Sequence, residues 1–193
     1  MMNLDTAYVC WQLVANKRAY TVHRLDEEKN LCIVHPPPRF GRDPRLEDCL
    51  MTQDRRLYIS GRLKNFLEIF GVPDVEYRRV RVIDGTGLPL DDSYSILHFL
   101  NDPDCLDLDA CEATRSRILP SKAEKVKRLL FKNDPARPLF QPRHFNKIVL
   151  VGWELASIMA KEKFTGFRFM GLFDYGLRGD LPPHPLRHKV DAL

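Results

Sequence analysis

Five carboxylates fall within the twelve residues from Asn101 to Glu112, a stretch that contains no Lys or Arg. They belong to Asp102, Asp104, Asp107, Asp109 and Glu112. Such a cluster can bind a basic surface on a partner protein, because complementary charges steer association and fix the register of the contact. The alternative is a solvated acidic loop whose carboxylates only shape turns. We take the five residues as a candidate partner-binding patch.

The same aspartates lack the spacing of a metal site. A calcium loop needs alternating oxygen ligands and a Gly before a later Glu, and Asp107-Leu108-Asp109 has no such Gly. The six histidines form neither His-Glu-x-x-His nor a Cys/His cluster. We therefore expect no bound metal and no cofactor.

The sequence predicts a binding protein rather than an enzyme. The Gly-x-Ser-x-Gly pattern of a nucleophile elbow is absent. Gly85-Thr86-Gly87 precedes Leu-Pro-Leu instead of a helix start, so it does not indicate a phosphate-binding loop. An enzyme of unrecognised type is the rival interpretation, and it would need an acid–base pair or a nucleophile that no motif indicates.

Basic residues surround Phe40 in a proline-rich loop. Four of the ten residues from His35 to Pro44 are Pro, which excludes regular structure because Pro lacks the N–H donor and fixes φ. Arg39, Phe40 and Arg42 can bind RNA, with the ring stacked on a base. They can instead contact a protein partner or form a solvated loop. We include these three residues in the candidate partner-binding set.

The composition is that of an ordinary globular protein. The 193 residues are 44% hydrophobic and carry a net charge of only +4, which does not indicate a nucleic-acid binder. The five cysteines lack a Cys-x-x-Cys pair, which favours reduced thiols, although charged neighbours leave the exposure of Cys49 and Cys111 open. We see no signal peptide and no apolar run of about 20 residues, so we expect a cytoplasmic protein.

One helix is predicted together with both of its ends. Four apolar residues from Leu63 to Phe70 repeat at i, i+3, i+4 and i+7 and form one stripe. Ser60 can accept an unpartnered N–H at the helix start. Gly71 can adopt the left-handed conformation that ends a helix, and Pro73 prevents its continuation.

The other elements are strands and a second helix. Composition favours strands at residues 6–14, 19–23, 31–34, 75–83, 94–100, 126–132, 147–151 and 167–170. The alternation within 75–83 slips, which predicts a bulge near Arg78-Arg79. A capping box at Ser121 offers a short helix as the alternative to the strand at 126–132. The second helix is predicted from Trp153 to Lys163.

The helix from Ser60 onward resembles a segment of a family of bacterial immunity proteins from polymorphic-toxin systems, typified by a myxobacterial protein. The family pattern is a Ser, then Leu-Lys-x-Phe-Leu, then Gly-Val-Pro and an extended run. The similar pieces of this chain are Ser60, Leu63-Lys64-Asn65-Phe66-Leu67, Gly71-Val72-Pro73, Gly87-Leu88-Pro89-Leu90, Tyr94 to Asn101, Asp104-Cys105-Leu106-Asp107, Ile148-Val149-Leu150-Val151 and Phe164-Thr165-Gly166-Phe167-Arg168-Phe169. The resemblance covers about Tyr58 to Met170.

The resemblance implies a protein that binds one cognate toxin or effector protein and blocks it by binding alone, without catalysing a reaction. Nuclease toxins have basic clefts, which an acidic patch could fill. We expect an α+β fold with a mixed or mostly antiparallel sheet and two main helices. Residues 1–50 would be a β-rich N-terminal extension, 51–170 the immunity-like domain, and 171–193 a tail containing Gly and Pro. We expect no membrane partner. The alternative function is a small nucleic-acid-binding regulatory protein that uses the loop around Phe40 and the tail.

Overall fold

The computed structural model describes residues 8–13, 20–36, 45–50, 52, 56–172 and 175. In chain order the elements are β1 (Tyr8–Leu13), β2 (Thr21–Asp26), β3 (Leu31–His35), β4 (Cys49–Leu50), β5 (Leu57–Ile59), α1 (Gly61–Phe70), β6 (Val75–Arg79), β7 (Arg81–Asp84), β8 (Pro89–Asp91), β9 (Ser95–Phe99), β10 (Thr114–Arg115), β11 (Ala123–Lys125), β12 (Leu139–Phe140), β13 (Val149–Gly152), α2 (Trp153–Lys161) and β14 (Phe167–Gly171). Helices α1 and α2 and the mostly antiparallel sheets confirm the predicted α+β class.

The chain divides into two compact units. The central unit contains the described residues of 13–100 and 164–168, and the terminal unit contains those of 1–12, 101–163 and 169–193. The division at residues 50 and 170 that we drew from the sequence stays a prediction.

Two four-stranded sheets build the central unit. One has the strand order β2-β3-β7-β8 and the other β4-β5-β9-β6. Only the β3–β7 pair is parallel among the registered strand pairs of this unit. Strand β9 lies between β5 and β6 and is therefore a central strand of its sheet. The fully buried residues of this core include Cys32, Val34, Leu50, Tyr58 and Val82.

Helix α1 forms where the sequence predicts it. Ser60 is its N-cap, and the Ser60 side chain accepts a hydrogen bond from the Leu63 N–H. Gly71 ends the helix with φ 78° and donates its N–H to carbonyls of the last turn. Leu63 and Leu67 are fully buried, whereas Ile69 points into solvent and is 87% exposed.

The predicted bulge near Arg78-Arg79 is wrong. Strand β6 pairs with β9 through Arg79 without a register shift, and the chain then enters a different sheet as β7. Val80 makes this transition; it is buried, and its N–H donates to the Tyr94 carbonyl at 2.9 Å. The slip in alternation therefore marks a change of sheet, because β6 pairs with β9 and β7 pairs with β3.

The terminal unit contains a sheet of strand order β12-β13-β1-β14, helix α2 and the β10–β11 hairpin. Tyr8, Cys10, Phe140 and Leu150 are buried in its core. The ring of Tyr8 packs edge to face on Phe140 at 5.4 Å, and its hydroxyl donates to Asp134 at 2.7 Å. Burial and this carboxylate raise the pKa of Tyr8 well above its usual value.

The strand predicted at residues 126–132 is wrong in position. Strand β11 ends at Lys125, and the residues that follow are irregular except for a single bridge between Phe131 and Leu106. Val126 and Leu129 are buried at a spacing of three, which a strand with alternating faces cannot provide. After β14, Leu172 is buried in the core of the terminal unit.

Candidate partner-binding surface

Asp48 joins the two ends of the immunity-like pattern inside the central unit. Its Oδ1 accepts from the Ser60 hydroxyl at 2.8 Å. Its Oδ2 accepts from the Thr165 N–H at 3.0 Å and from the Thr165 hydroxyl at 3.2 Å. Arg62 donates to both oxygens, at 3.1 and 2.9 Å, and its guanidinium lies 4.1 Å from the Phe164 ring centroid. The pattern residues Ser60 and Thr165 therefore join two segments of the central unit through Asp48.

The Asp48 carboxylate is charged and well satisfied. Burial alone would raise its pKa, but hydrogen bonds from Arg62, Ser60 and the Thr165 backbone outweigh burial and hold the pKa below its usual value. Next to it, Gly166 has φ 91°, and a Cβ there would lie 1.9 Å from the Cys49 carbonyl oxygen. Only Gly fits this close approach of two backbone segments.

The five carboxylates of the candidate acidic patch all lie in the terminal unit, and cations from outside the stretch neutralise three of them. Asp104 lies 2.7 Å from Lys132 and 3.3 Å from His144 Nε2. Glu112 lies 2.7 Å from Lys127 and 3.6 Å from Arg128. Asp109 pairs with Arg115 at 3.4 Å. The hydrogen bond from Lys132 lowers the pKa of Asp104, and the bond from Lys127 lowers that of Glu112.

The two remaining carboxylates have different surroundings. Asp107 caps a turn by accepting the Ala110 N–H at 3.0 Å. Asp102 is partly buried, and its Oδ1 has no hydrogen-bond partner among the described residues. Partner binding by all five residues stays a prediction, but their net field is weaker than their number suggests, because neighbouring cations cancel much of it.

The β10–β11 hairpin exposes apolar side chains that the sequence analysis missed. Ile118 is 88% exposed and Leu119 is 56% exposed at its tip. The segment from Thr114 to Arg128 contains six cationic residues and one carboxylate, Glu124. The sequence feature that could have indicated this surface is the Ile-Leu-Pro run inside a basic segment. The run is exposed because it lies in the turn between β10 and β11.

Arg39, Phe40 and Arg42 lie outside the described residues. A different basic site is visible in the central unit: a groove of about 390 Å³ lined by Lys29, Asn30, Leu31, Arg79, Val80, Arg81 and Asp92. Arg79 bonds the Asp92 carbonyl at 3.0 Å and lies 3.5 Å from its carboxylate. This groove is therefore only partly neutralised.

Within the described part of the chain, no group of three or more His, Cys, Asp or Glu residues converges in a way that could hold a metal ion. No described helix is both long enough and apolar enough to cross a bilayer. All five cysteines are free and buried, including Cys49 and Cys111.

The chain matches no protein-family model, and no curated protein matches it. The geometry described above and the resemblance of the Ser60 segment are therefore what support a function.

Proposed function

We propose that this protein is an immunity protein that binds a cognate bacterial toxin, with a nuclease as one candidate, and inhibits it by occlusion. The observation that carries the proposal is the Asp48 network. Ser60 and Thr165 belong to the first and last pieces of the immunity-like pattern, and both hydrogen-bond to this one carboxylate. Pieces that are far apart in the sequence thus belong to one structure, as the resemblance implies.

Inhibition by occlusion requires a rigid scaffold and an exposed contact surface. A specific complex of this type typically buries about 800 Å² on each partner, with a few apolar or Arg anchors near its centre. Exposed side chains such as Ile118 and Leu119, 88% and 56% accessible, are available as anchors. No chemical step is needed, so the inhibitor is not consumed and does not turn over.

Co-expression tests the proposal. The chain is produced together with the product of each neighbouring gene that stops growth when expressed alone, and growth is compared with cells that make that toxin alone and with cells that make the chain and an unrelated toxin. We expect protection against the cognate toxin only, and a stable complex by size-exclusion chromatography. An absence of both protection and complex would refute the proposal.

Titration of the toxin's activity distinguishes an occluding inhibitor from an enzyme that inactivates the toxin. An occluding inhibitor abolishes activity only when it reaches the concentration of toxin sites. A detoxifying enzyme protects at far lower ratios because each molecule acts repeatedly. We expect the first behaviour.

The second candidate is a small nucleic-acid-binding regulatory protein, and the groove beside Arg79 and Arg81 favours it. Both side chains are exposed, and a phosphate could replace the Asp92 carboxylate as the partner of Arg79. Binding to a duplex or a single strand that weakens steeply with salt, and that Arg81→Glu reduces, would support this function. Binding that salt and this substitution leave unchanged would speak against it.

A further inference from the structure

The tip of the β10–β11 hairpin has a fixed shape. The Ser116 hydroxyl oxygen accepts the N–H groups of Ile118 and Leu119, both at 3.3 Å. The Lys122 N–H donates to the Leu119 carbonyl at 2.8 Å, and the Ser116 N–H donates to the Lys122 carbonyl at 2.9 Å. Pro120 follows Leu119 with its φ already set. Ile118 and Leu119 are therefore presented on an ordered turn, which lowers the entropy cost of binding.

The base of the hairpin is fastened to the terminal unit. Ala123 is buried, and its N–H donates to the His144 carbonyl at 2.7 Å. The Lys122 ammonium hydrogen-bonds to the Arg143 carbonyl. Arg115 pairs with Asp109 at 3.4 Å. A substitution at the tip should therefore leave the base and the core in place.

The charge around the tip is positive and partly uncompensated. Arg117, directly before Ile118, and Lys125, on strand β11, are exposed and have no ion-pair partner within the described ranges. Lys127 and Arg128 share the single carboxylate of Glu112. An apolar tip with a cationic border is complementary to an apolar pocket with an acidic border.

We infer that the hairpin tip is the partner-binding element of this protein, and that Ile118 and Leu119 enter an apolar pocket of the cognate protein while Arg117 and Lys125 face carboxylates at the rim of that pocket. This inference rests on the proposed immunity function. A nuclease cleft is basic because it binds phosphate. If the toxin is a nuclease, the hairpin therefore docks beside the cleft rather than in it.

The tip fits a protein better than it fits nucleic acid or an anionic membrane, which also bind cationic surfaces. Nucleic acid is bound mainly through cation–phosphate contacts, which would engage the basic side chains but would not bury Ile118 and Leu119. An anionic membrane is bound by a large apolar face in addition to basic residues, and two exposed apolar side chains are a small area. A protein pocket can enclose two such side chains completely.

A matched pair of substitutions tests the apolar contact. Ile118→Asp removes the apolar tip, and Ile69→Asp makes the same change at an equally exposed Ile of the central unit (88% and 87%). Binding of both variants to the toxin identified by co-expression is measured by calorimetry, with circular dichroism as the check on folding. We expect Ile118→Asp to weaken binding at least about tenfold and Ile69→Asp to bind as wild type. Equal binding by Ile118→Asp and wild type would overturn the inference.

The charged border is tested by kinetics. Arg117→Glu should slow association several-fold at low salt and remove part of its salt dependence, whereas Arg24→Glu, an exposed cation of β2, should not. An association rate unaffected by Arg117→Glu would contradict the acidic rim.

The outcomes separate the two proposals. If wild type and Ile118→Asp bind the toxin equally well, the hairpin site is refuted, but the proposed immunity function is not. A wild type that does not bind the toxin refutes both. Ile118-dependent binding to vesicles of phosphatidylcholine and phosphatidylserine, or to a DNA duplex, in place of the toxin would overturn the protein-pocket inference.

Discussion

Asp48 and Thr165 are 117 residues apart in the sequence and hydrogen-bond to each other in both directions. The Thr165 N–H donates to the Asp48 carboxylate at 3.0 Å, and the Asp48 N–H donates to the Thr165 hydroxyl at 3.1 Å. The Cys49 N–H adds a backbone bond to the Thr165 carbonyl at 3.0 Å. This contact fixes residues 164–168 onto the N-terminal half of the central unit, so the stability of that unit depends on both ends of the pattern.

Replacing Asp48 should destabilise the protein strongly. The Asp48 side chain is only 12% exposed, and its loss leaves donors of Ser60, Arg62 and Thr165 without their acceptor. We expect Asp48→Ala to lower the free energy of unfolding by about 2–4 kcal/mol in urea denaturation. The matched control is Asp92→Ala: its carboxylate is 70% exposed and pairs with Arg79, so about 0–1 kcal/mol is expected. Equal effects of the two substitutions would contradict this role of Asp48.

The same carboxylate should contribute to acid sensitivity. Its pKa is lowered in the folded state, so folding favours the ionised form. The stabilisation is therefore complete above the unfolded-state pKa of about 3.9 and is lost as the pH falls through the lower folded-state pKa. Asn at this position cannot ionise. The difference in unfolding free energy between wild type and Asp48→Asn should shrink as the pH is lowered from about 6 to about 2. A difference that stays constant with pH would show that the charge does not matter.

Two glycines with nearly the same φ provide a matched test of the close approach between the Gly166 backbone and the Cys49 carbonyl group. Gly166 has φ 91° and its added Cβ would lie 1.9 Å from the Cys49 carbonyl oxygen, whereas Gly87 has φ 92° and open space around it. Gly87→Ala should cost about 1 kcal/mol from the left-handed conformation alone. Gly166→Ala should cost at least about 3 kcal/mol or prevent folding, because backbone must move. Thermal unfolding of both variants measures the difference, and similar melting temperatures would refute the contact.

The thiols of the native protein should resist alkylation. All five cysteines are buried, and burial raises the pKa of Cys10 and Cys49 well above the usual range and that of Cys105 to about 12. The reactive thiolate is therefore scarce as well as inaccessible at pH 8. Mass spectrometry after treatment with iodoacetamide should find the folded protein unmodified and the guanidinium-unfolded protein labelled five times. Rapid labelling of Cys49 or Cys111 in the folded state would contradict their burial.

Local patterns were enough to predict helix α1. The N-cap of Ser60, the apolar stripe and the C-cap of Gly71 all lie within twelve consecutive residues, and the capping hydrogen bonds at both ends join residues of this same segment. The role of Asp48 could not be predicted in this way. Its partners include Thr165, and nothing in the residues around Asp48 indicates which distant segment will approach it.

The acidic stretch shows the limit of reading charge from sequence. Five carboxylates without a local cation suggested a strong negative patch. Lys127, Arg128 and Lys132 come from the next irregular segment and pair with Glu112 and Asp104 in the folded chain. The strand predicted over that segment was also wrong, since Val126 and Leu129 are buried at a spacing of three, whereas residues on one face of a strand recur every two residues.

The turn from Ser116 to Lys122 owes its shape to backbone atoms and one hydroxyl group. The five side chains between them, from Arg117 to Ser121, are all exposed and add nothing to either core. The side chains of Arg117, Ile118, Leu119 and Ser121 can therefore change during evolution while Ser116, Pro120 and Lys122 keep the shape of the turn. A change in the chemistry of this exposed tip would therefore need only a few codon changes, and each intermediate sequence would keep the fold.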